Sequence, residues 1–278
     1  ELLDYIKEFR DDNVFAISEL LRRGMTVCEL HEKTQITELF LEAFARIAGM
    51  EKKLSYAKDD LAMLTEAKKL GFSDRQIALA RGCSEDDVRA ERKAKGVVPT
   101  YHLVDTCGGE FVARNPYYYS TYGLQNEARI SDRKKIMILG GGPNRIGQGI
   151  EFDYCCVHAS LALKALGFET IIVNCNPETV STDYDTADRL YFEPLTPEDV
   201  MNIIEVEKPI GVVVAFGGQT AIKLTRHIAA AGVPILGTSP DMIDCAEDRE
   251  RFEELLNKYN IKRATGETVM TCDEALAT

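Results

Sequence analysis

The residues best suited to chemistry lie in a glycine-rich loop that follows a short apolar run. Residues 136–139 are β-favouring, with charge on one side and glycine on the other, which is typical of a strand buried on both faces. Glycine tolerates sharp bends and lets the backbone approach a ligand closely. We therefore predict a ligand site at this loop, whose main residues are Gly140, Gly141, Gly142, Arg145, Gly147 and Gly149.

The order of strand, glycine loop and helix raises the question of a dinucleotide fingerprint, but the residues argue against one. The Gly-x-Gly-x-x-Gly pattern requires glycine three positions after Gly142, where the chain has Arg145. Glu151 and Asp153 would open the following helix, and their charges would repel a pyrophosphate at its N-terminus. Asn174 stands where a ribose-binding carboxylate is expected. No nicotinamide or flavin cofactor is predicted.

Two carboxylates and a second glycine pair also fall at predicted strand ends. Glu151 and Glu178 each follow a strand, beside glycine or proline turns, and Gly217 and Gly218 follow a third apolar run. Parallel sheets bind their ligands at the carboxyl ends of the strands. The residues by themselves leave two interpretations open for the glutamates, a structural hydrogen-bonding role or a ligand contact.

Other catalytic arrangements are not indicated. None of the four histidines has an obvious orienting partner, and the eight cysteines form no C-x-x-C pair. This cysteine pattern is typical of reduced thiols in a cytosolic protein. We predict no catalytic residue, no metal site and no bound cofactor in this stretch of chain.

Strands and helices alternate in the second part of the sequence. Apolar runs at 136–139, 170–173, 211–215 and 233–236 are separated by helical patterns, among them one from 221 to 231. Such alternation indicates a parallel sheet with helices on both faces. The predicted fold class is α plus α/β, a helical bundle followed by a doubly wound, Rossmann-like domain.

The first part of the sequence contains helical signals almost alone. Apolar residues at three- and four-residue steps predict one long helix over 34–54 with a single buried face, formed by Ile36, Leu39, Phe40, Ala43, Phe44, Ile47 and Met50. Ser73 with Gln76 forms a capping-box pattern, and Ser84 with Asp87 is a weaker relative of it. A small bundle has limited capacity to bury several apolar faces, so we expect it to self-associate.

Residues 72–90 have the outline of a helix-turn-helix, but the would-be recognition helix begins with three acidic residues, which would oppose DNA. The net charge of −12 likewise disfavours nucleic acid and anionic membranes. No apolar run approaches the roughly 20 residues that span a bilayer, and no secretory signal opens the sequence. A helix pair within a bundle is the favoured interpretation, with neither nucleic acid nor membrane as partner.

Several motifs in one order make a specific resemblance. The chain resembles the large subunit of carbamoyl phosphate synthetases, through the loop at 134–154, the connector motifs 104–107 and 119–122, and the segments 173–185, 189–194, 216–220, 237–240 and 246–252. The resemblance implies a helical oligomerisation domain at 1–97, a connector at 98–132, a pre-ATP-grasp domain of the second, carbamoyl-phosphate-forming half at 133–246, and the start of a truncated ATP-grasp domain at 247–278. We therefore expect the sequence to be a piece of a longer chain.

The resemblance also implies a function. The complete enzyme would be a cytoplasmic ligase that uses ATP, bicarbonate and glutamine-derived ammonia to make carbamoyl phosphate for pyrimidine and arginine biosynthesis. It would require magnesium or manganese and potassium, and its partners would be a glutaminase small subunit, the rest of the large subunit and further copies bound through the helical domain. Residues matching Gly149, Glu151 and Glu178 line an internal passage for carbamate. By itself this stretch would be inactive.

The alternative from another class is a free-standing nucleotide-binding regulatory protein with a helical interaction domain. Tight, saturable binding of NAD or a nucleotide by the chain would favour this alternative.

Overall fold

The computed structural model describes residues 2–8, 10–56, 60–143, 150–264, 269 and 271–277. The chain divides into two compact units. Unit 1 comprises Glu1–Thr100 and Thr121–Gln125, and unit 2 comprises Tyr101–Ser120 and Asn126–Thr278.

Unit 1 is a bundle of short helices around one long helix. Its described helices are α1 Leu2–Lys7, α2 Asn13–Arg22, α3 Val27–Thr34, α4 Glu38–Tyr56, α5 Leu61–Lys69, α6 Asp74–Arg81 and α7 Glu85–Ala94. Complete capping boxes begin α6 and α7, at Ser73 with Gln76 and Ser84 with Asp87, which confirms both predicted starts. A third, which sequence analysis missed, begins α3 at Thr26 with Glu29.

The long helix α4 does not bury a single face. Leu41, in its first half, packs into a core with α1 to α3, whereas Met50 and Leu54, in its second half, pack into a separate core with α5 to α7. Leu39 and Phe40, predicted to be buried, are 68% and 60% exposed. The prediction of one buried stripe was therefore wrong, because two cores contact α4 from different sides.

A charged cluster lies inside the second of these cores. The Asp74 carboxylate is completely buried and accepts hydrogen bonds from Arg92 Nε at 2.7 Å and Lys68 Nζ at 3.1 Å. These contacts join α5, α6 and α7. Since a buried carboxylate is tolerated only when it is paired, the cluster favours one arrangement of the three helices.

Unit 2 contains a six-stranded sheet with the order β1-β2-β5-β4-β3-β6 among the described residues. Pairing is parallel between β2 and β5, β5 and β4, β4 and β3, and β3 and β6. The strands are β1 Thr100–Leu103, β2 Tyr117–Thr121, β3 Lys135–Leu139, β4 Glu169–Val173, β5 Arg189–Tyr191 and β6 Gly211–Val213. The described helices are α8 Glu151–Ala165, α9 Pro197–Glu207, α10 Gly218–Ile222, α11 Thr225–Ala230, α12 Pro240–Glu247, α13 Arg249–Lys258 and α14 Cys272–Ala277.

Helices cover both faces of the sheet. On one face α8 packs through Cys156 against Ile138 and Ile172. On the other face, residues of α9 to α12 pack against Met137 and Ile171. Every residue of β3 and β4 is buried. The predicted class, a helical bundle with a doubly wound parallel-sheet domain, is confirmed.

Several individual elements differ from the sequence-based expectations. The predicted connector at 98–132 contains β1 and β2, which extend the sheet, and β5 was not predicted as a strand. The predicted strand at 233–236 is reduced to a single parallel bridge between Val212 and Ile235. The predicted helix 221–231 is divided into α10 and α11. No described helix is long and apolar enough to cross a bilayer.

The amino-terminal edge of the sheet is held by a buried ionic network around Glu207. This residue is fully buried, and its carboxylate accepts hydrogen bonds from Lys135 Nζ at 3.0 Å, from Arg189 Nη1 at 2.7 Å and from the Tyr191 hydroxyl. Arg189 also pairs with Glu169 at 2.8 Å. The network thus connects α9 to β3, β4 and β5 at the edge opposite the glycine loop.

Candidate functional site

A cleft of about 410 Å³ lies at the carboxyl ends of β3 and β4. The two strands run parallel, so the residues after them meet at one edge of the sheet. The described lining consists of Gly141, Gly142, Pro143, Ile150, Phe152, Asp153, Asn174, Asn176, Glu178, Thr179 and Val180.

Asn174 organises the floor of this cleft. Its side-chain oxygen accepts hydrogen bonds from the backbone N–H of Gly142 at 3.1 Å and of Asn176 at 3.2 Å, and the residue is only 2% exposed. One amide therefore fixes the loop after β3 to the loop after β4. Gly142 has a φ of +71°, a conformation that favours glycine.

The glycines after β3 and β6 are required by close packing. A Cβ atom at Gly140 would lie 2.7 Å from Cγ of Asn174, and one at Gly217 would lie 2.6 Å from the carbonyl oxygen of Leu139 and still closer to that of Gly140. Gly218 has a φ of +61°. The glycine pair that follows β6 thus lets the chain pass directly against the end of β3.

Cys156 contacts both of these strand ends from α8. Its thiol lies within hydrogen-bond range of the carbonyl oxygens of Leu139, at 3.8 Å, and Phe216, at 3.5 Å. Burial raises the pKa of this thiol to about 12. The group therefore stays protonated and acts as a packed donor, not as a nucleophile.

The comparisons with known proteins bear on this chain as a whole. Residues 132–245 match the family model described as the carbamoyl phosphate synthase preATP-grasp domain. Residues 1–96 match the model described as the carbamoyl-phosphate synthetase large chain, oligomerisation domain. Together the two models cover well over half of the 278 residues. The chain belongs to the carbamoyl phosphate synthase large-chain family.

Individual relatives of this large-chain family match across nearly the whole sequence. The carbamoyl phosphate synthase large chain of Archaeoglobus fulgidus is 51% identical over 282 residues, covering 99% of this chain and 26% of its own length. Those of Xylella fastidiosa and Methanothermobacter thermautotrophicus are 53% and 54% identical, covering 95% and 91% of this chain. The chain spans about a quarter of the length of these relatives.

One solved structure, a biotin carboxylase domain of a single-chain bacterial carboxylase, is 20% identical with a TM-score of 0.38. The match covers 52% of this chain and 33% of that one. A similarity at this level supports no conclusion about function.

The two glutamates that resemble passage residues of carbamoyl phosphate synthetases occupy different positions. Glu178 is exposed and lines the cleft, and its backbone N–H donates to Asn176 Oδ1 at 3.0 Å. Glu151 is the exposed first residue of α8 and does not appear in the described lining. The second carboxylate of the cleft is instead Asp153, which accepts a hydrogen bond from Ser181 N at 3.0 Å.

The remaining predicted residues divide into two groups. Gly140 packs against the Asn174 side chain, Gly142 N–H donates to it, and Gly141 lines the same cleft, while Gly217 packs against Gly140 and Leu139. Arg145, Gly147 and Gly149 lie outside the described residues, so their predicted roles are neither supported nor contradicted by the structure.

Two residues of the cleft were not predicted as site residues. Asn174 was noted for standing where a ribose-binding carboxylate is expected, and Asp153 as a charge that would repel phosphate. An asparagine directly after a buried strand and facing a glycine loop was the available signal. No sequence signal predicted the hydrogen bond between Ser181 and Asp153, because these residues are 28 positions apart.

The lining chemistry indicates what the cleft can accommodate. Its described residues supply amide and hydroxyl groups and two carboxylates, with no lysine or arginine. No three His, Cys, Asp or Glu side chains of the described chain are grouped as metal ligands.

Proposed function

We propose that this chain serves in an ATP-dependent ligase that makes carbamoyl phosphate from bicarbonate and glutamine-derived ammonia. The proposal rests on the match of this sequence to two family models of that enzyme's large chain. Relatives that are more than 50% identical to it also support the proposal. Because those relatives are about four times as long, we assign ATP, magnesium or manganese, and potassium to other parts of a complete large chain. A glutaminase small subunit is the proposed partner, in the cytoplasm, with pyrimidine and arginine biosynthesis using the product.

For unit 2 we propose that the cleft belongs to the passage that carries carbamate towards its phosphorylation. Gly149, Glu151 and Glu178 are the proposed residues of the passage; Glu178 lines the described part of the cleft, and Glu151 begins α8 beside it. Carbamate decomposes in water, so an enclosed route preserves it between two reactions. A described lining without cations suits transit of a small polar molecule better than its tight retention. Glu178 and Asp153 would guide it by hydrogen bonding.

For unit 1 we propose self-association. The match to a model described as an oligomerisation domain supports this role. So do several large apolar side chains that the unit leaves exposed, including Phe15 at 74% and Phe40 at 60%.

Obstructing the passage in the complete large chain, with its glutaminase partner, tests the proposed function. Replacing Gly149 with Leu should leave bicarbonate-dependent ATP hydrolysis in place and sharply lower carbamoyl phosphate formation, because the side chain fills space without touching an ATP site. Glu178→Gln, which keeps the volume, should be milder. If Gly149→Leu leaves synthesis and hydrolysis equally intact, the passage does not run beside residue 149.

A further inference from the structure

The carboxamide of Asn174 uses only one of its two ends within the described chain. Its oxygen accepts hydrogen bonds from Gly142 N at 3.1 Å and from Asn176 N at 3.2 Å. A carboxamide nitrogen cannot accept a hydrogen bond, so the two backbone N–H donors fix which end is the oxygen. The amino group, Nδ2, is at the other end, and no described residue accepts a hydrogen bond from it.

The amino end of the Asn174 side chain faces the cleft. Asn174 belongs to the described lining and is only 2% exposed. Nδ2 is not one of the fully enclosed polar atoms that lack a partner, so the small exposed part of the residue includes its amino group. A Cβ atom at Gly140 would lie 2.7 Å from Nδ2. The glycine therefore keeps open the space that this amino group occupies.

The amino group of Asn174 complements the charged groups of the cleft. Glu178 and Asp153 contribute carboxylates, which only accept hydrogen bonds when ionised, and the described lining has no lysine or arginine. A donor on a nearly buried residue needs an acceptor, because a buried polar group without a partner is costly. The cleft thus offers a fixed donor on one residue and acceptors on two others.

We propose that Asn174 Nδ2 donates a hydrogen bond to a carboxyl oxygen of the molecule in the cleft, while the amino group of that molecule donates to Glu178. Carbamate carries an amino group and a carboxyl group on one carbon, so it meets both requirements. A molecule that has a carboxylate but no amino group would leave the glutamate without a donor. The inference rests on the proposed carbamate passage and adds a residue that selects the molecule in transit.

Asn174→Asp in the complete large chain, with its glutaminase partner, tests the inference. The variant keeps the size of the side chain and an oxygen for both backbone N–H groups, but it replaces the donor with an acceptor. The number of ATP molecules hydrolysed per carbamoyl phosphate should rise about threefold or more, because the lost donor and the added charge both disfavour carbamate. A purely structural defect would lower both rates together and leave this ratio unchanged.

Asn202→Asp is the matched control. It makes the same change at a buried asparagine of α9, outside the described lining of the cleft, and should leave the ratio at its wild-type value. Circular dichroism checks that both variants are folded. A wild-type ratio in folded Asn174→Asp, or an equal rise in Asn202→Asp, would overturn the role of Asn174.

A measurement on the wild-type 278-residue chain requires no folded variant. Acetamide has an amino group and a carbonyl oxygen on one carbon and is stable in water. During an acetamide titration, the side-chain amide NMR signals of Asn174 should shift and level off, whereas those of the exposed Asn257 should not level off. Identical behaviour of the two asparagines would mean that only water accepts from Asn174, and the inference would fail.

Gly149→Leu separates this inference from the proposed function. If Gly149→Leu raises the ratio of ATP hydrolysed to carbamoyl phosphate and Asn174→Asp does not, the passage stands and the role of Asn174 is wrong. If neither variant raises the ratio, carbamate does not pass through the cleft, and the proposed passage fails together with the inference. A rise in both variants supports both.

Discussion

The carboxamide of Asn174 lies so close to Gly140 that a Cβ atom there would be 2.7 Å from its Cγ atom. The same carboxamide accepts a hydrogen bond from Gly142 N at 3.1 Å. The glycine loop after β3 and the asparagine after β4 therefore form one packed unit, and the shape of the cleft depends on both.

Gly140→Ala should destabilise unit 2 by about 1–3 kcal/mol, because the added methyl group must displace the buried Asn174 side chain. Urea unfolding followed by far-UV circular dichroism measures this, since the helices of both units contribute to that signal. Gly49→Ala is the control, because a Cβ there meets nothing within 4 Å. It should be neutral or stabilising by up to about 1 kcal/mol, since alanine favours a helix interior. Equal effects of the two variants would contradict the packing explanation.

Glu207→Gln should cost about 3–5 kcal/mol of unfolding free energy. In the wild type the Glu207 carboxylate lies 3.0 Å from Lys135 Nζ and 2.7 Å from Arg189 Nη1. The variant removes this negative charge from beside the two buried cations. Glu253→Gln, which breaks a more exposed pair with Arg263, should change stability by less than about 1 kcal/mol. Thermal unfolding of both variants provides the comparison, and a loss at Glu207 no larger than at Glu253 would count against the network.

Glu193 should make stability depend on pH. The pKa of this carboxyl is raised from 4.5 to about 7, mainly by burial; the hydrogen bond from Ser120 N opposes the rise, and the nearby Asp199 charge adds to it. Because the pKa of Glu193 is higher in the folded state, the folded protein keeps this proton between pH 4.5 and about 7, where the unfolded chain has lost it. The stabilisation is therefore complete below pH 4.5 and is lost as the pH rises through about 7.

Glu193→Gln, which stays neutral and still accepts from Ser120, should not lose this stabilisation. Relative to wild type, its unfolding free energy should increase by about 1–3 kcal/mol between acid and neutral pH. Urea titrations at a series of pH values measure the difference. Parallel curves for the two proteins would show that Glu193 does not titrate in this range.

The chain by itself should neither hydrolyse ATP nor form carbamoyl phosphate, because phosphoryl transfer needs positioned cations around the phosphates. Phosphate release by rigorously purified protein, with and without magnesium, measures this, and the complete large chain is the positive control. Metal-dependent turnover by the purified chain would contradict the prediction. Tight, saturable binding of NAD or a nucleotide would instead favour the regulatory alternative.

Patterns that depend on neighbouring residues were predictable from sequence. The buried run at 136–139 became β3, because only a strand covered on both faces is apolar at every position. The capping boxes at Ser73 and Ser84 formed as expected, since each needs only a side chain and a backbone group three residues apart. The doubly wound class likewise follows from the alternation of strands and helices.

Arrangements that depend on distant residues were decided by tertiary structure alone. The face of α4 that is buried changes along its length because two separate cores contact it, and periodicity records only that the residues are apolar. Strands β1 and β2 extend the sheet because β2 pairs with β5, which follows it about 70 residues later in the sequence. No local sequence pattern predicts such a pairing. Glu178 and Glu151 looked equivalent in sequence, yet the turn after β4 brings one to the cleft while the other begins α8. Side-chain position at a strand end depends on how the following turn packs, and that packing is a property of the whole sheet.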